Sequence, residues 1–338
     1  MGYSVAFIEG DGIGPEQAAA VRLVLDQVNR QLGVSVDLIS TQAGDKTLKE
    51  CGEALPKESF DIIKKSDCCL KCPVGQSAYD VIIRIRRDLD LFANLRPAKA
   101  LPKINCIGPG TDLIIVRENT EDLYSGLETV NDLGATATRI ITKKASHRIA
   151  KYAFELSMQR RKAVTAIHKI NVLKKTDGIF LSACKEVSES YPEVRFSDML
   201  VDAAAMNLIR NPQNFDVIVT TNMFGDILSD EAAQVVGGIG LNPSANIGDN
   251  FALFEPVHGS APDIAGKNVA NPTSIVLSSA MMLDWLGHNK GDRKAIEASA
   301  RIRSAAEDCL SHGEVTPDLG GKLSTIGMGK AIATRISR

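Results

Sequence analysis

Short apolar runs recur along this chain, and most are followed by stretches whose apolar residues fall at three- and four-residue steps. A chain that keeps alternating between these two patterns folds as an α/β protein, because each strand-like run needs a helix to cover it. Val5–Ile8 leads into a helix predicted to begin near Pro15, with Ala18, Val21, Leu25, Val28 and Leu32 on one face. Val34–Ile39, Cys68–Lys71, Leu113–Val116, Val164–Ile167 and Val217–Thr220 are the other predicted strands. Ala135–Thr142 alternates and is rich in β-formers, which suits an antiparallel strand or an arm toward a partner. The C-terminal stretch is expected to be mostly helical, with Pro272–Leu286 and Arg293–Leu310 the clearest helices. No linker, repeat or low-complexity tract interrupts the 338 residues, so two domains would share the chain by crossing over.

Bulk properties narrow the class. With 44% hydrophobic and 24% charged residues and a net charge of −2, nothing suggests attraction to nucleic acid or to an anionic membrane. No apolar run approaches a membrane span and the N-terminus lacks a signal-peptide pattern, so a cytoplasmic enzyme or binding protein is expected. The seven cysteines are odd in number and scattered. Cys69 and Cys72 have C-x-x-C spacing, but they sit with Cys68 in a predicted buried strand and lack a second Cys/His pair, so small apolar packing residues are expected.

The stretch EGDGIGPE places Gly10, Gly12 and Gly14 between the first strand and the first helix. A dinucleotide fingerprint needs G-x-G-x-x-G, and the spacing here is G-x-G-x-G, so the turn alone does not make a nucleotide grip. Three arginines lie near expected structural transitions: Arg86, Arg96 and Arg117. A guanidinium at a strand end suits a carboxylate or phosphate, although a salt bridge to Asp88, Asp90 or Glu118 would also account for it. Asp226 and Asp230 are four residues apart on one helical face, where like charges repel by roughly 0.2–0.5 kcal/mol. The helix N-terminus offsets part of that, and a hard divalent cation would offset more, with Asp202 as a third oxygen donor. Lys169, at a strand end, could act as a base and Tyr124 as an acid toward an enolate; His168 fits a structural role. The loop from Glu255 to Pro272 is polar, small-residued and aperiodic, which marks it for binding. In it His258 could stack or hydrogen-bond, and Asp263 could accept the two hydroxyls of a ribose, favouring NAD over a 2′-phosphorylated relative.

Taken together, GDGIGPE, LDLFANLRP, VRENTEDLYSG, HKINVLKKTDG, NMFGDILSDEAA, EPVHGSAPDIAGKNVANPTS and TPDLGG resemble the β-hydroxyacid oxidative decarboxylases: isopropylmalate, isocitrate and homoisocitrate dehydrogenases. The resemblance runs over essentially the whole chain. It implies two α/β domains around a shared mixed sheet rather than a Rossmann fold. A discontinuous cofactor-binding domain would comprise residues 1–94 and 240–338, and a dimerisation and metal/substrate domain residues 95–239. It implies that Arg86, Arg96 and Arg117 hold substrate carboxylates. Asp226 and Asp230, with Asp202 from a second subunit, would hold Mg²⁺ or Mn²⁺. Lys169, also from the second subunit, would assist loss of the hydroxyl proton, and Tyr124 would protonate the enolate. Ile13, His258, Gly259, Ser260, Ala261, Asp263, Ile264 and Asn271 would contact NAD, with Ile13 at the nicotinamide end. The protein would act as a homodimer with shared active sites, or as a tetramer formed by pairing two such dimers.

The segment before Arg86 bears on the substrate. Isocitrate enzymes usually carry serine and asparagine where this chain has Asp80 and Ile82, and homoisocitrate enzymes often carry arginine where it has Ile83. Ile82 and Ile83 suit an isopropyl group, and the PVGxSAxDV run is similar to archaeal-type isopropylmalate dehydrogenases. The alternatives are a homoisocitrate or isocitrate enzyme, one that also accepts D-malate, or a non-catalytic regulatory subunit, which would usually have lost some of Tyr124, Lys169, Asp202, Asp226 and Asp230.

Overall fold

The computed structural model describes residues 2–337. Its strands are β1 (Gly2–Ile8), β2 (Ser35–Ser40), β3 (Cys68–Lys71), β4 (Ala93–Lys99), β5 (Asp112–Glu118), β6 (Glu128–Asn131), β7 (Gly134–Ala137), β8 (Ala163–His168), β9 (Arg195–Leu200), β10 (Val217–Thr220), β11 (Pro243–Ile247) and β12 (Ala252–Pro256). The helices are α1 (Gly14–Leu32), α2 (Asp45–Cys51), α3 (Lys57–Lys65), α4 (Ala78–Asp88), α5 (Lys143–Ser157), α6 (Thr176–Ser188), α7 (Val201–Arg210), α8 (Asn222–Val235), α9 (Thr273–Lys290), α10 (Arg293–Ser311) and α11 (Thr325–Ile336).

Ten strands make one sheet in the order β2-β1-β3-β12-β11-β4-β5-β10-β8-β9. Its two flanks are parallel, but β11 runs antiparallel to both β12 and β4, and β4 antiparallel to β5. The mixed centre and the strand order set it apart from a Rossmann sheet, as expected.

Apart from Ala135–Thr142, the predicted strands and helices are all present, with ends shifted by a few residues. Three expectations need correction. Ala135–Thr142 is not one strand: Gly134–Ala137 pairs with β6 in an exposed hairpin, and Thr142 already caps α5 by accepting from the Ala145 N–H. The C-terminal region is less helical than expected, because β11 and β12 form a buried central hairpin there. Glu255 and Pro256 therefore belong to β12, and the loop begins only at Val257. The stretch around Arg96 is the whole of a seven-residue central strand, β4. Proline is tolerated at 97 because β11 pairs with β4 only as far as Leu95, which leaves that side of Pro97 without a ladder partner.

Alternation along the strands divides the core into unequal parts. On one face Val5, Phe7, Leu70, Phe254, Leu95, Ile114, Val116 and Val219 belong to one continuous apolar cluster across the sheet. The other face carries two separate clusters. Ala6, Ile8, Cys69 and Leu253 pack with Ile63 of α3 and with Val81 and Ile85 of α4, and Leu113, Ile115, Ile167 and Ile218 with Leu208 of α7 and Leu228 of α8. Lys71, Arg96, Arg117 and Glu255 share this second face by strand alternation. All four point into the gap where the apolar packing stops.

The cysteines behave as small apolar groups. Cys68, Cys69 and Cys72 are buried and unbridged, and burial pushes the thiols of Cys69 and Cys72 up to about 12.

Candidate active site

The three arginines meet in the gap, but their partners are not the neighbouring acids. Asp88 pairs with Arg84 and Asp90 with Arg148, while Glu118 caps the turn that follows it. Arg86, from the last turn of α4, reaches Glu255 at 3.3 Å; Glu255 also holds Lys71 at 2.9 Å and accepts from Asn246 at 2.8 Å. Arg96 pairs with Asp230 at 3.3 Å, and Arg117 with Asp226 and, through Nε, with Asn222 at 2.8 Å. Sequence reasoning thus found the cations and the two aspartates separately, without their pairing. Gly225 explains part of the NMFGD motif: a Cβ there would lie 2.6 Å from the Arg117 side chain, so only glycine lets α8 pass this close.

Charge is concentrated here. Burial pulls the Arg86 guanidinium down to about 10 despite Glu255, with Arg117 and Arg96 adding repulsion. Its Nε is buried and has no partner among the described residues, an orphan donor that an incoming carboxylate would satisfy. Burial raises the Asp226 carboxyl, but Arg117, the Tyr124 hydroxyl and the other arginines outweigh this and hold it below the usual range. Asp230 is displaced the other way, by burial more than Arg96 can offset. Tyr124 donates to Asp226 Oδ2 at 2.5 Å and lies under the Arg117 guanidinium, 5.0 Å from its ring centre. Burial raises its phenol further, keeping it protonated and able to donate.

Asp202 and Lys169 stand apart from this group. Their side chains pair with each other at 2.7 Å. Asp202 joins no cluster of three or more metal-ligating side chains with Asp226 and Asp230 among the described residues. One chain therefore offers a hard cation two carboxylates on one helical turn. That donor chemistry fits Mg²⁺ or Mn²⁺ and leaves room for a further oxygen ligand. His168 is buried, its Nε2 within 3.0 Å of Asp198 and its Nδ1 accepting from the Ile170 N–H, a structural arrangement.

The opening glycine turn packs directly on the downstream loop. The Ile13 N–H donates to Ser260 O at 2.9 Å, and a Cβ on Gly12 would lie 2.0 Å from that same oxygen. Gly12 has φ +60°, so both space and backbone require glycine. Gln17, on α1, is fully buried and was not singled out in the sequence; its Nε2 donates to Asn271 O at 2.9 Å and lies 3.2 Å from His258 Nε2. His258 Nδ1 is 3.0 Å from Gly259 O, and burial lowers this imidazole, so it is neutral with the proton on Nδ1. Ile13 and Asn271 are buried, whereas Asp263 is exposed and forms no hydrogen bond or ion pair among the described residues. A loop so backed, with an unengaged carboxylate at its tip, fits the adenosine half of a dinucleotide.

Residues 4–332 match the family model described as isocitrate/isopropylmalate dehydrogenase. The chain belongs to that family. Among its relatives, the 3-isopropylmalate dehydrogenase of Sulfurisphaera tokodaii is 50% identical over 327 residues, 96% of each chain. An isocitrate/homoisocitrate dehydrogenase of Thermus thermophilus is 45% identical over 342 residues, 98% of each. The crystal structure of isocitrate dehydrogenase from Methylococcus capsulatus superposes with a TM-score of 0.93 at 40% identity, covering 99% of this chain and 100% of that one. A member of this family is a decarboxylating dehydrogenase. Among the described residues no helix is long and apolar enough to cross a membrane.

Proposed function

We propose that the protein converts 3-isopropylmalate and NAD to 4-methyl-2-oxopentanoate, CO₂ and NADH, assisted by Mg²⁺ or Mn²⁺. One observation carries the choice of substrate. Ile82 and Ile83 lie one helical turn before Arg86 and so share its side of α4, yet they belong to none of the three core clusters. Their neighbours Val81 and Ile85 are fully packed instead. Two half-buried isoleucines left out of the core beside a substrate-binding arginine supply an apolar surface for an isopropyl group.

Arg86, Arg96 and Arg117 would bind the two carboxylates of malate type and orient C2, their mutual repulsion relieved by the substrate's charge. When bound, the nicotinamide accepts hydride and the cation stabilises negative charge on the substrate oxygen. Asp226 and Asp230 would hold the cation. Lys169 would take up the proton lost from the hydroxyl. Tyr124, already donating to Asp226, would deliver a proton to carbon after CO₂ leaves. Asp263 would hold the adenosine ribose, and the loop around His258 and Asn271 the rest of the nucleotide.

Lys169 and Asp202 would serve the site of a second copy of the chain. Met206 and Ile209 share α7 with Asp202, Val172 follows Lys169 closely, and Ile227 lies on α8, which packs against α7; all four are exposed apolar side chains, as a homodimer contact would require.

The test is NADH production with Mg²⁺ and, in turn, 3-isopropylmalate, isocitrate, homoisocitrate and D-malate. The highest kcat/KM is expected for 3-isopropylmalate; a higher value for isocitrate would refute the apolar-surface argument. Dialysis against a chelator should abolish turnover, and Mg²⁺ or Mn²⁺ should restore it.

A further inference from the structure

Beneath the site lies a buried ionic hub that no step above uses. Asp122 and Asp177 are fully buried, and Arg139 bridges them. Its Nε donates to Asp122 Oδ1 at 2.6 Å, one terminal nitrogen donates to Asp177 and to Thr176 Oγ1 at 3.1 Å, and the other to Thr221 Oγ1 at 2.9 Å. The guanidinium also lies 5.2 Å from the ring centre of Phe224. Each carboxylate turns its remaining acceptor capacity to backbone. Asp177 Oδ2 accepts the Lys169 N–H at 2.5 Å. Asp122 accepts the Leu123 N–H at 2.9 Å, in the short 3-10 turn Leu123–Ser125 that carries Tyr124. Its other oxygen accepts the Met223 N–H at 3.1 Å, in the first turn of α8, one turn ahead of Asp226.

We propose that Arg139 is a positioning residue that sets the backbone of both proton-transfer residues, Lys169 and Tyr124, from a single guanidinium. It touches neither substrate nor cofactor. Neutralising two buried carboxylates lets them act as rigid acceptors, and the fork fixes their spacing, which a lysine ammonium would not do. The chain order gives no hint of this: Arg139 follows the β6–β7 hairpin, Asp177 opens α6, and Asp122 sits in a loop with φ +73°. If Lys169 serves a neighbouring subunit while Tyr124 serves its own, the hub joins parts of two active sites within one chain.

The inference rests on the reading of Lys169 and Tyr124 as proton carriers, so its test combines one readout that needs turnover with one that does not. Amide hydrogen exchange on the substrate-free protein follows residues 123–125 and 169–171. Arg139→Lys should accelerate exchange in both segments, Asp177→Asn chiefly in the second, and Asp122→Asn chiefly in the first. In the same Arg139→Lys protein, kcat should fall at least 30-fold while KM for 3-isopropylmalate and NAD changes less than threefold, and the solvent deuterium isotope effect on kcat should rise. Exchange that accelerates in only one segment of Arg139→Lys, or in neither, overturns the hub. So does a kcat that falls only in proportion to the loss of folded protein, with the isotope effect unchanged. Should the wild-type enzyme turn over none of the four acids, the functional reading falls while the exchange pattern still decides the hub. If Arg139→Lys does not fold, the two asparagine variants decide it: selective acceleration supports the hub, and its absence refutes it.

Discussion

Replacing Glu255 with glutamine tests how the floor of the site is held together. Glu255 is buried between Lys71 and Arg86, themselves almost wholly buried. Burial alone would raise its carboxyl, yet Lys71 and Arg86 bring it from an ordinary 4.5 down to about 2. A depression of that size corresponds to roughly 3 kcal/mol of stability at neutral pH, within the range seen when one partner of a buried ion pair is removed. Because the folded value is lowered, the contribution is complete above pH 4.5 and is lost as pH falls from 4.5 toward about 2. Glu255→Gln should therefore cost about 3 kcal/mol at pH 7, and the difference from wild type should narrow by about 2 kcal/mol at pH 3. Urea unfolding followed by Trp285 fluorescence, at one protein concentration and several pH values, measures both quantities. The variant should also raise KM for the hydroxyacid, because Arg86 loses the carboxylate that aims it. A cost below 1 kcal/mol at pH 7, or an equal cost at pH 7 and pH 3, would refute the reasoning.

Three further outcomes follow from the geometry. Tyr124→Phe should lower kcat by about 10²–10⁴ with KM little changed; steady-state kinetics with saturating Mg²⁺ will show whether the phenol moves a proton. Asp263→Lys should weaken NAD binding at least tenfold, measured by calorimetry, and unchanged affinity would remove the ribose assignment. Gly12→Ala forces a Cβ against Ser260 O and strains a backbone at φ +60°, so it should destabilise the fold by about 1–3 kcal/mol and loosen NAD binding in the same protein. Wild-type affinity in a variant with an unchanged unfolding midpoint would show that the turn does not brace the loop.

Much of the fold was legible because strand and helix periodicities are local properties, and the short apolar runs Val5–Ile8 and Val217–Thr220 carry them plainly. The site residues were visible as motifs for a different reason: each combines an unusual residue type with a strand or helix end. What stayed hidden was long-range. Lys71 looked like part of an apolar strand, and its partner Glu255 lies far along the chain in a strand taken for loop. β11 and β12 escaped because buried Asn246 breaks the apolar pattern, yet its side chain bonds Glu255 and two other asparagines across the gap. Arg139 and Gln17 could have been noticed only as polar groups with no expected partner, and spacing along the sequence says nothing about partners supplied by the fold.

The order in which strands join the sheet also bears on how the protein is made. β5, β10, β8 and β9 arise from one uninterrupted length of chain and can pair as soon as it has left the ribosome. β1, β2 and β3 are translated first, but β3 pairs next with β12, and α1 packs against α11, the last helix of the chain. The segment synthesised first is thus completed last. During translation its strand edge and the apolar face of α1 wait for the C-terminus, which makes this flank the part of the nascent chain most in need of protection from aggregation.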